Sequence, residues 1–342
     1  MASGSDYTVS GGTTMVGVNS GDVIDDADFN NMRTNVNTLL GSAADVELSP
    51  SAYAVSDIKG WGQGGAGVTT VSAGELIDAT SGNGFKDLQD DIQAMCAFLG
   101  VSVRSGVGTD VADGGTISAT TWTNCMLNVQ DCWNARFTPA SRTSATGDSS
   151  TFTSQWKNSL TATATFTWAS EALCRAFFNG GGSIGFSASR AGGSSTTQNT
   201  NWTDTLSAMG DVELKHDTGA GSSGTNAGIG FYELPDPTDV ETIWTKFGSG
   251  SYSSNFFRMS ASSNDQASPT VIQLVATFSD PHAEGSGDLG PDGVAGTGDE
   301  AFGNDFIDGT LTLNGRTHTP DASGSGFSFT TPTVSVGTIS GS

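Results

Sequence analysis

Thr161-Ala162-Thr163-Ala164-Thr165-Phe166-Thr167-Trp168 alternates hydroxyl-bearing and apolar side chains. A strand has a side-chain period of two, so this stretch reads as β structure. Ser183-Ile184-Gly185-Phe186-Ser187-Ala188-Ser189 alternates in the same way. Further β-prone runs follow at 228–234, 242–247, 255–260, 270–278, 310–314 and 326–336, separated by clusters of Gly, Asn, Ser and Pro. Around eight short strands punctuated by turn signals predict an antiparallel β-sandwich. One helix interrupts it at 201–210, with Trp202, Leu206 and Met209 facing inward and Gly210 ending it. The stretch 171–182 reads as a connection between strands, reversing tightly at the glycines after Phe177 and Phe178.

Upstream of about residue 150 the periodicity is helical, and a weak repeat emerges. Unit one reads Gly21-Asp22-Val23-Ile24-Asp25-Asp26-Ala27-Asp28-Phe29. Unit two reads Ala73-Gly74-Glu75-Leu76-Ile77-Asp78-Ala79, with Phe85 following. Unit three reads Gly114-Gly115-Thr116-Ile117-Ser118-Ala119-Thr120-Thr121-Trp122. In each, a turn glycine precedes an Ile that plugs into a core, and an Asp or Ser then caps a helix. The helices carry apolar faces: Phe29, Met32, Val36, Leu39 and Leu40; Phe85, Leu88, Ile92, Met95 and Leu99; Trp122, Cys125, Met126, Val129 and Trp133. Such short amphipathic helices need partners, either one another or copies of the chain around a symmetry axis. The fold class expected is therefore α+β, an N-terminal helical repeat region at 1–145 followed by a C-terminal antiparallel β-sandwich at 146–342.

Composition narrows the function. The 342 residues hold 13 Lys+Arg against 36 Asp+Glu, a net charge of -23. A surface that acidic repels a phosphate backbone, so no nucleic-acid partner is expected. The 18 Phe and 7 Trp supply a real core. No apolar run approaches the ~18 residues of a membrane span, and Met1 to Asp6 does not open a secretory leader. Cys96, Cys125, Cys132 and Cys174 lack CxxC spacing and neighbouring histidines. They read as buried thiols, with a disulfide as the alternative.

The most site-like segment is the acidic loop around 288–300. Counting Asp288 as position one, Asp292 falls at five and Asp299 at twelve, with the Val294 carbonyl at seven. That approximates a calcium loop, although Gly290 stands where Asp or Asn is wanted. A solvated acidic loop is the competing reading, and no cofactor is required. His216, His282 and His318 have no metal-ligand spacing. Asp25-Asp26 and Asp90-Asp91 lie at helix starts or on helix faces, where capping and solvation explain them. Arg190, followed by Gly192 and Gly193, reads as a plain turn or an exposed contact to a neighbour. Trp244, Tyr252 and Phe256 are either sugar-stacking aromatics or core residues.

The ordered set of motifs resembles one group of proteins. The repeated Gly-x-x-Ile units, Gly60-Trp61-Gly62-Gln63 and the run from Arg175-Ala176-Phe177-Phe178-Asn179-Gly180 to Ile184 belong to it. So do Ser189-Arg190-Ala191-Gly192-Gly193-Ser194, Asn201-Trp202-Thr203 and Phe306-Ile307-Asp308-Gly309-Thr310-Leu311-Thr312. Together they are similar to the virion structural proteins, often described as tail-fibre-like, of tailed phages infecting cyanobacteria and other aquatic bacteria. The stretch 285–305 stands as an insertion against that pattern. The resemblance implies membership of a virion, with other virion proteins as partners, and does not fix the station on the particle. A structural role at the tail, fibre or neck is expected rather than an enzyme, with the helix faces suggesting a homo-oligomer, a trimer favoured, and the aromatics a host-surface glycan as a candidate ligand. A head decoration protein and a glycan-cleaving tail enzyme are the alternatives.

Overall fold

The computed structural model describes residues 6–8, 12–41, 58, 60–64, 70–73, 77, 84–111, 115–281 and 306–341. The chain opens on a two-stranded ribbon, β1 (Tyr7–Thr8) and β2 (Thr14–Met15). Three helices follow: α1 (Asp26–Leu40), α2 (Phe85–Leu99) and α3 (Ala119–Ala135). Helices α1 and α3 start on the Asp and Ser that their sequences offer as caps, whereas α2 starts on a glycine and Asp78 lies outside the described residues. Asp25 accepts from the Asp28 amide and Asp28 returns the bond to the Asp25 amide, a reciprocal cap on α1. Ser118 caps α3. In α2 the cap is Gly84, and Asp87 reaches back to its amide. Gly100 ends α2 at φ +66°, a left-handed conformation that a Cβ would strain. The apolar residues assigned to all three helix faces are buried in one cluster.

Two larger sheets follow, with helices threaded between their strands. In chain order the elements are β3 (Arg142–Phe152), β4 (Asn158–Thr167), α4 (Glu171–Asn179), β5 (Ser183–Ala191), α5 (Thr197–Met209), β6 (Val212–Leu214), β7 (Gly219–Ala220), β8 (Thr225–Asn226) and β9 (Glu241–Phe247). They continue with β10 (Phe256–Ser263), β11 (Val271–Asp280), β12 (Thr310–Pro320), β13 (Thr333–Val336) and β14 (Ser340–Gly341). One sheet runs β13-β4-β11-β10-β9-β8, with β14 also on β4; the other runs β3-β12-β5-β6-β7. Both sheets and helices α4 and α5 feed a second buried cluster.

The segregated architecture expected from the sequence is wrong. The fold is a mixed α+β one, with strands ahead of the first helix and helices α4 and α5 between strands of the later sheets. Three local misreadings contributed. The stretch 171–182 is not a mere connection, because Ser170 caps a true helix there and Arg175 to Phe178 are buried on it. The run 228–234 forms a short 3-10 turn at Phe231–Glu233 instead of a strand. In 326–336 only the end is strand, since Phe327 and Phe329 leave the sheet and pack against the N-terminal cluster.

The two clusters meet at the segment 60–63. The Trp61 ring is fully buried, edge-on to Phe98 at 5.0 Å and tilted against Phe327 at 5.9 Å. Amides of Trp61, Gly62 and Gln63 donate to the C-terminal carbonyls of α1. On the other side Asn179 Nδ2 donates to the Gly60 carbonyl, 2.9 Å, and Gln63 exchanges two bonds with the Ser328 backbone, 2.9 Å each. Segment 60–63 is thus the joint between the helical cluster and the sheets.

Candidate functional site

The densest group of titratable side chains among the described residues lies on the outer face of the five-stranded sheet. Alternation along β12 turns Leu311 and Leu313 into the core and leaves Arg316 and His318 outside. Register then fixes their neighbours. His318 stands between Ser144 on β3 and Ser183 on β5. Arg316 stands between Thr146 and Gly185, and Gly185 in turn opposes Glu213 on β6. Gly185 has no room for a side chain, because a Cβ would run into the Val212 carbonyl. Glu213 and His318 therefore approach each other with nothing between them.

The contacts are tight. His318 Nδ1 and Ser144 Oγ are 2.7 Å apart. His318 Nε2 is buried without a hydrogen bond, 3.5 Å from Asp211 Oδ2 and 3.9 Å from Glu213 Oε1. Glu213 accepts from Arg142 at 2.7 Å and from Ser183 at 2.5 Å. Arg316 holds Asp211 at 3.2 Å and Thr146 at 2.7 Å. Burial by itself would lift the Glu213 carboxyl. The bonds from Arg142 and Ser183, with His318 nearby, outweigh burial and hold it below the usual carboxylate range. Burial pushes the His318 imidazole down, and Arg142 and Arg316 add to that against the opposing pull of Glu213 and Asp211. At neutral pH the cluster holds two guanidinium groups against two carboxylates, with a neutral imidazole between them. A glycosidase acid needs a raised pKa, and that of Glu213 is lowered instead.

A second feature comes from the repeat. A cavity of about 540 Å³ is lined by Ile24, Ile77 and Ile117, the equivalent isoleucines of the three units. Asp22, Asp25 and Asp26 also line it. The isoleucines do pack on the helical cluster, but each stays partly accessible. The units thus meet head to head, with their apolar plugs around one acidic recess.

The remaining sequence candidates sort as follows. Asp288, Asp292, Val294 and Asp299 lie outside the described residues, as does His282. Among the described residues no group of three or more His, Cys, Asp or Glu could hold a metal ion. All four cysteines are free and buried, and all four lie in helices, Cys174 in α4 included. Arg190 is neither exposed nor a plain turn: it is buried and donates to Asp308 at 3.0 Å. Trp244 is a core residue. Phe256 is half-buried, edge-on to the exposed Phe247 at 5.9 Å, with Arg258 over its ring at 4.6 Å. Asp91 is the most perturbed of the paired carboxylates, lifted to about 6 by burial and then by Asp87 and Asp90. Sequence reasoning missed Ser144 and His318 as partners. They are 174 residues apart, and no local pattern joins them. No helix of the described residues is long and apolar enough to cross a membrane. No family model, curated protein or solved structure matches the chain.

His216 gives a pH signature. Its ring stacks on Phe137 at 3.8 Å, and burial lowers its pKa from 6.5 to about 4, despite the opposing pull of Asp217. The folded state prefers the neutral ring, so stability is complete above pH 6.5 and falls as pH drops towards 4. Between pH 7 and 5 the loss is expected to be about 2 kcal/mol. Urea midpoints at the two pH values, compared with His216→Phe, check it; an unchanged pH dependence in the variant would remove His216 as the cause.

Proposed function

We propose that the chain is a structural component of a tailed-phage particle, associated with the tail, fibre or neck. It works by assembling with other virion proteins and with copies of itself, a trimer being the favoured state, and by contacting the host surface. The observation that carries this reading is where the family-like motifs sit. Gly60 meets Asn179, and a side chain at Gly62 would press on Ala176, so two of those motifs interlock. Arg190, Ser194 and Asn199 all bind Asp308, so two more do the same. The motifs that resemble those virion proteins hold parts of this chain together, which supports a structural reading. The acidic recess lined by Ile24, Ile77 and Ile117 is consistent with the same reading, because it offers apolar side chains of all three units to a neighbour.

The test is fractionation. Purified particles are disrupted, heads and tails are separated, and each fraction is searched for peptides of this chain. Recovery with tails is expected. Recovery with heads would make it a decoration protein, and absence from particles would remove the virion reading. Sedimentation of the purified chain should give three times the 34.8 kDa chain mass. A strictly monomeric chain at high concentration would overturn the trimer. Incubation with host envelope polysaccharide should release no new reducing ends.

A further inference from the structure

Cys96 on α2 and Cys132 on α3 are fully buried, and their Sγ atoms are 3.6 Å apart. That is van der Waals contact between sulfurs, about 1.5 Å longer than an S–S bond. Both thiols lie on the buried faces of helices α2 and α3, which pack against each other. The intervening chain is held down independently of the sulfurs. Asn128 accepts from the Arg104 amide and donates to the Ser102 carbonyl, and Gln89 donates to the carbonyls of Gly106 and Val107. The two helices are thus held side by side by bonds that do not involve the sulfurs.

We propose that Cys96 and Cys132 form a latent disulfide, closed by a peroxide, which locks α2 to α3. One thiolate attacks a peroxide oxygen; the O–O bond breaks, hydroxide leaves, and a sulfenic acid forms. The second thiol attacks that sulfur, the S–O bond breaks, and water leaves as the S–S bond forms. Two thiols and one hydrogen peroxide become one disulfide and two waters, the sulfurs giving up the two electrons that the peroxide takes. A peroxide is small enough to reach sulfurs that a bulky disulfide reagent cannot. Closure ties a loop of the unfolded chain and so raises the unfolding temperature.

The test uses the full chain carrying Cys125→Ala, because trypsin leaves Cys125 and Cys132 together on peptide 105–136 and Cys96 on 87–104. After hydrogen peroxide treatment, non-reducing mass spectrometry should find those two peptides joined, two hydrogens lighter than their sum. The melting temperature should rise and return on reduction. Cys132→Ala in the same background should give neither the linked peptide nor the rise. Treatment at an intermediate urea concentration, where the helices open, guards against an access barrier. Sulfenic or sulfinic acid on Cys96 with no link under either condition would overturn the proposal, and so would a link between peptides 87–104 and 105–136 that forms in full in a chain carrying Cys132→Ala with Cys125 intact.

Discussion

Trp61→Ala is expected to destabilise the protein by about 4 kcal/mol, within the range for truncating a large buried aromatic. The ring has no exposed surface, and its neighbours are rings from two distant parts of the chain, Phe98 on α2 and Phe327 near the C-terminus. Those rings also touch each other, at 5.7 Å, so they cannot close around the vacancy without breaking their own packing. Truncation also removes the indole N–H that donates to the buried Arg136 carbonyl at 3.2 Å. An acceptor left dry adds its own penalty. Trp61→Phe keeps most of the volume and loses only the donor, so it should cost about half as much. Urea or guanidinium unfolding followed by far-UV dichroism checks both. The joint has a second consequence. Because segment 60–63 holds both clusters, the helical and sheet signals should separate in the Ala variant where they coincide in wild type. A single transition shifted by less than about 1 kcal/mol would show that the joint contributes little.

The three N-terminal helices were legible from their apolar faces, and α1 and α3 also from the caps of Asp25 and Ser118, whereas α2 starts on Gly84. Every apolar residue that the spacing selects is buried, joined by Cys96, Phe98 and Cys132, which it did not select. Strands β4 and β5 were legible from alternation, which shows as one buried and one open face along β4 and over the second half of β5, and β11 from its β-prone composition. Strand β3 was not. It is an edge strand, mostly polar on both faces, so it shows no alternation to read. Its place is decided by pairing with β12, far along the chain, across a bulge at Gly315–Arg316. Helix α4 was misread although its signal was present. Leu173, Cys174, Phe177 and Phe178 have helical spacing behind the Ser170 cap, but the glycines that follow suggested a turn. The segregated fold failed for a related reason. Nothing local marks Phe327 and Phe329 as belonging to a helical core more than two hundred residues upstream. The polar cluster of Ser144, His318 and Glu213 was illegible on the same grounds, since it exists only once the four strands β3, β12, β5 and β6 are in register.

Asp308→Ala is expected to cost about 3 kcal/mol, and the reason lies mainly in the residue left behind. Asp308 accepts from Arg190 at 3.0 Å, from Asn199 Nδ2 at 2.5 Å and from the Ser194 amide at 3.0 Å. The Arg190 side chain is only 6% exposed, and without Asp308 it keeps the Asn199 carbonyl and the Thr203 hydroxyl, at 3.3 and 3.2 Å. Neither carries charge, so a guanidinium would stand buried without a counter-ion, the costly way to break such a pair. Replacing both partners should therefore hurt less than replacing one. Asp308→Ala combined with Arg190→Met is expected to recover a large part of the loss, because the apolar side chain needs no counter-ion. Denaturant midpoints for the two single variants and the double variant give the coupling directly. Simple additivity would mean that Arg190 does not depend on Asp308. The pH dependence separates this clasp from His216. Burial would raise the Asp308 carboxyl, but the bonds from Ser194, Asn199 and Arg190 together hold it below its usual 3.8. Its contribution is therefore complete above pH 3.8 and lost only as pH falls through that lower value. Loss between pH 6.5 and 4 should survive in Asp308→Ala, whereas the further loss below pH 4 should shrink.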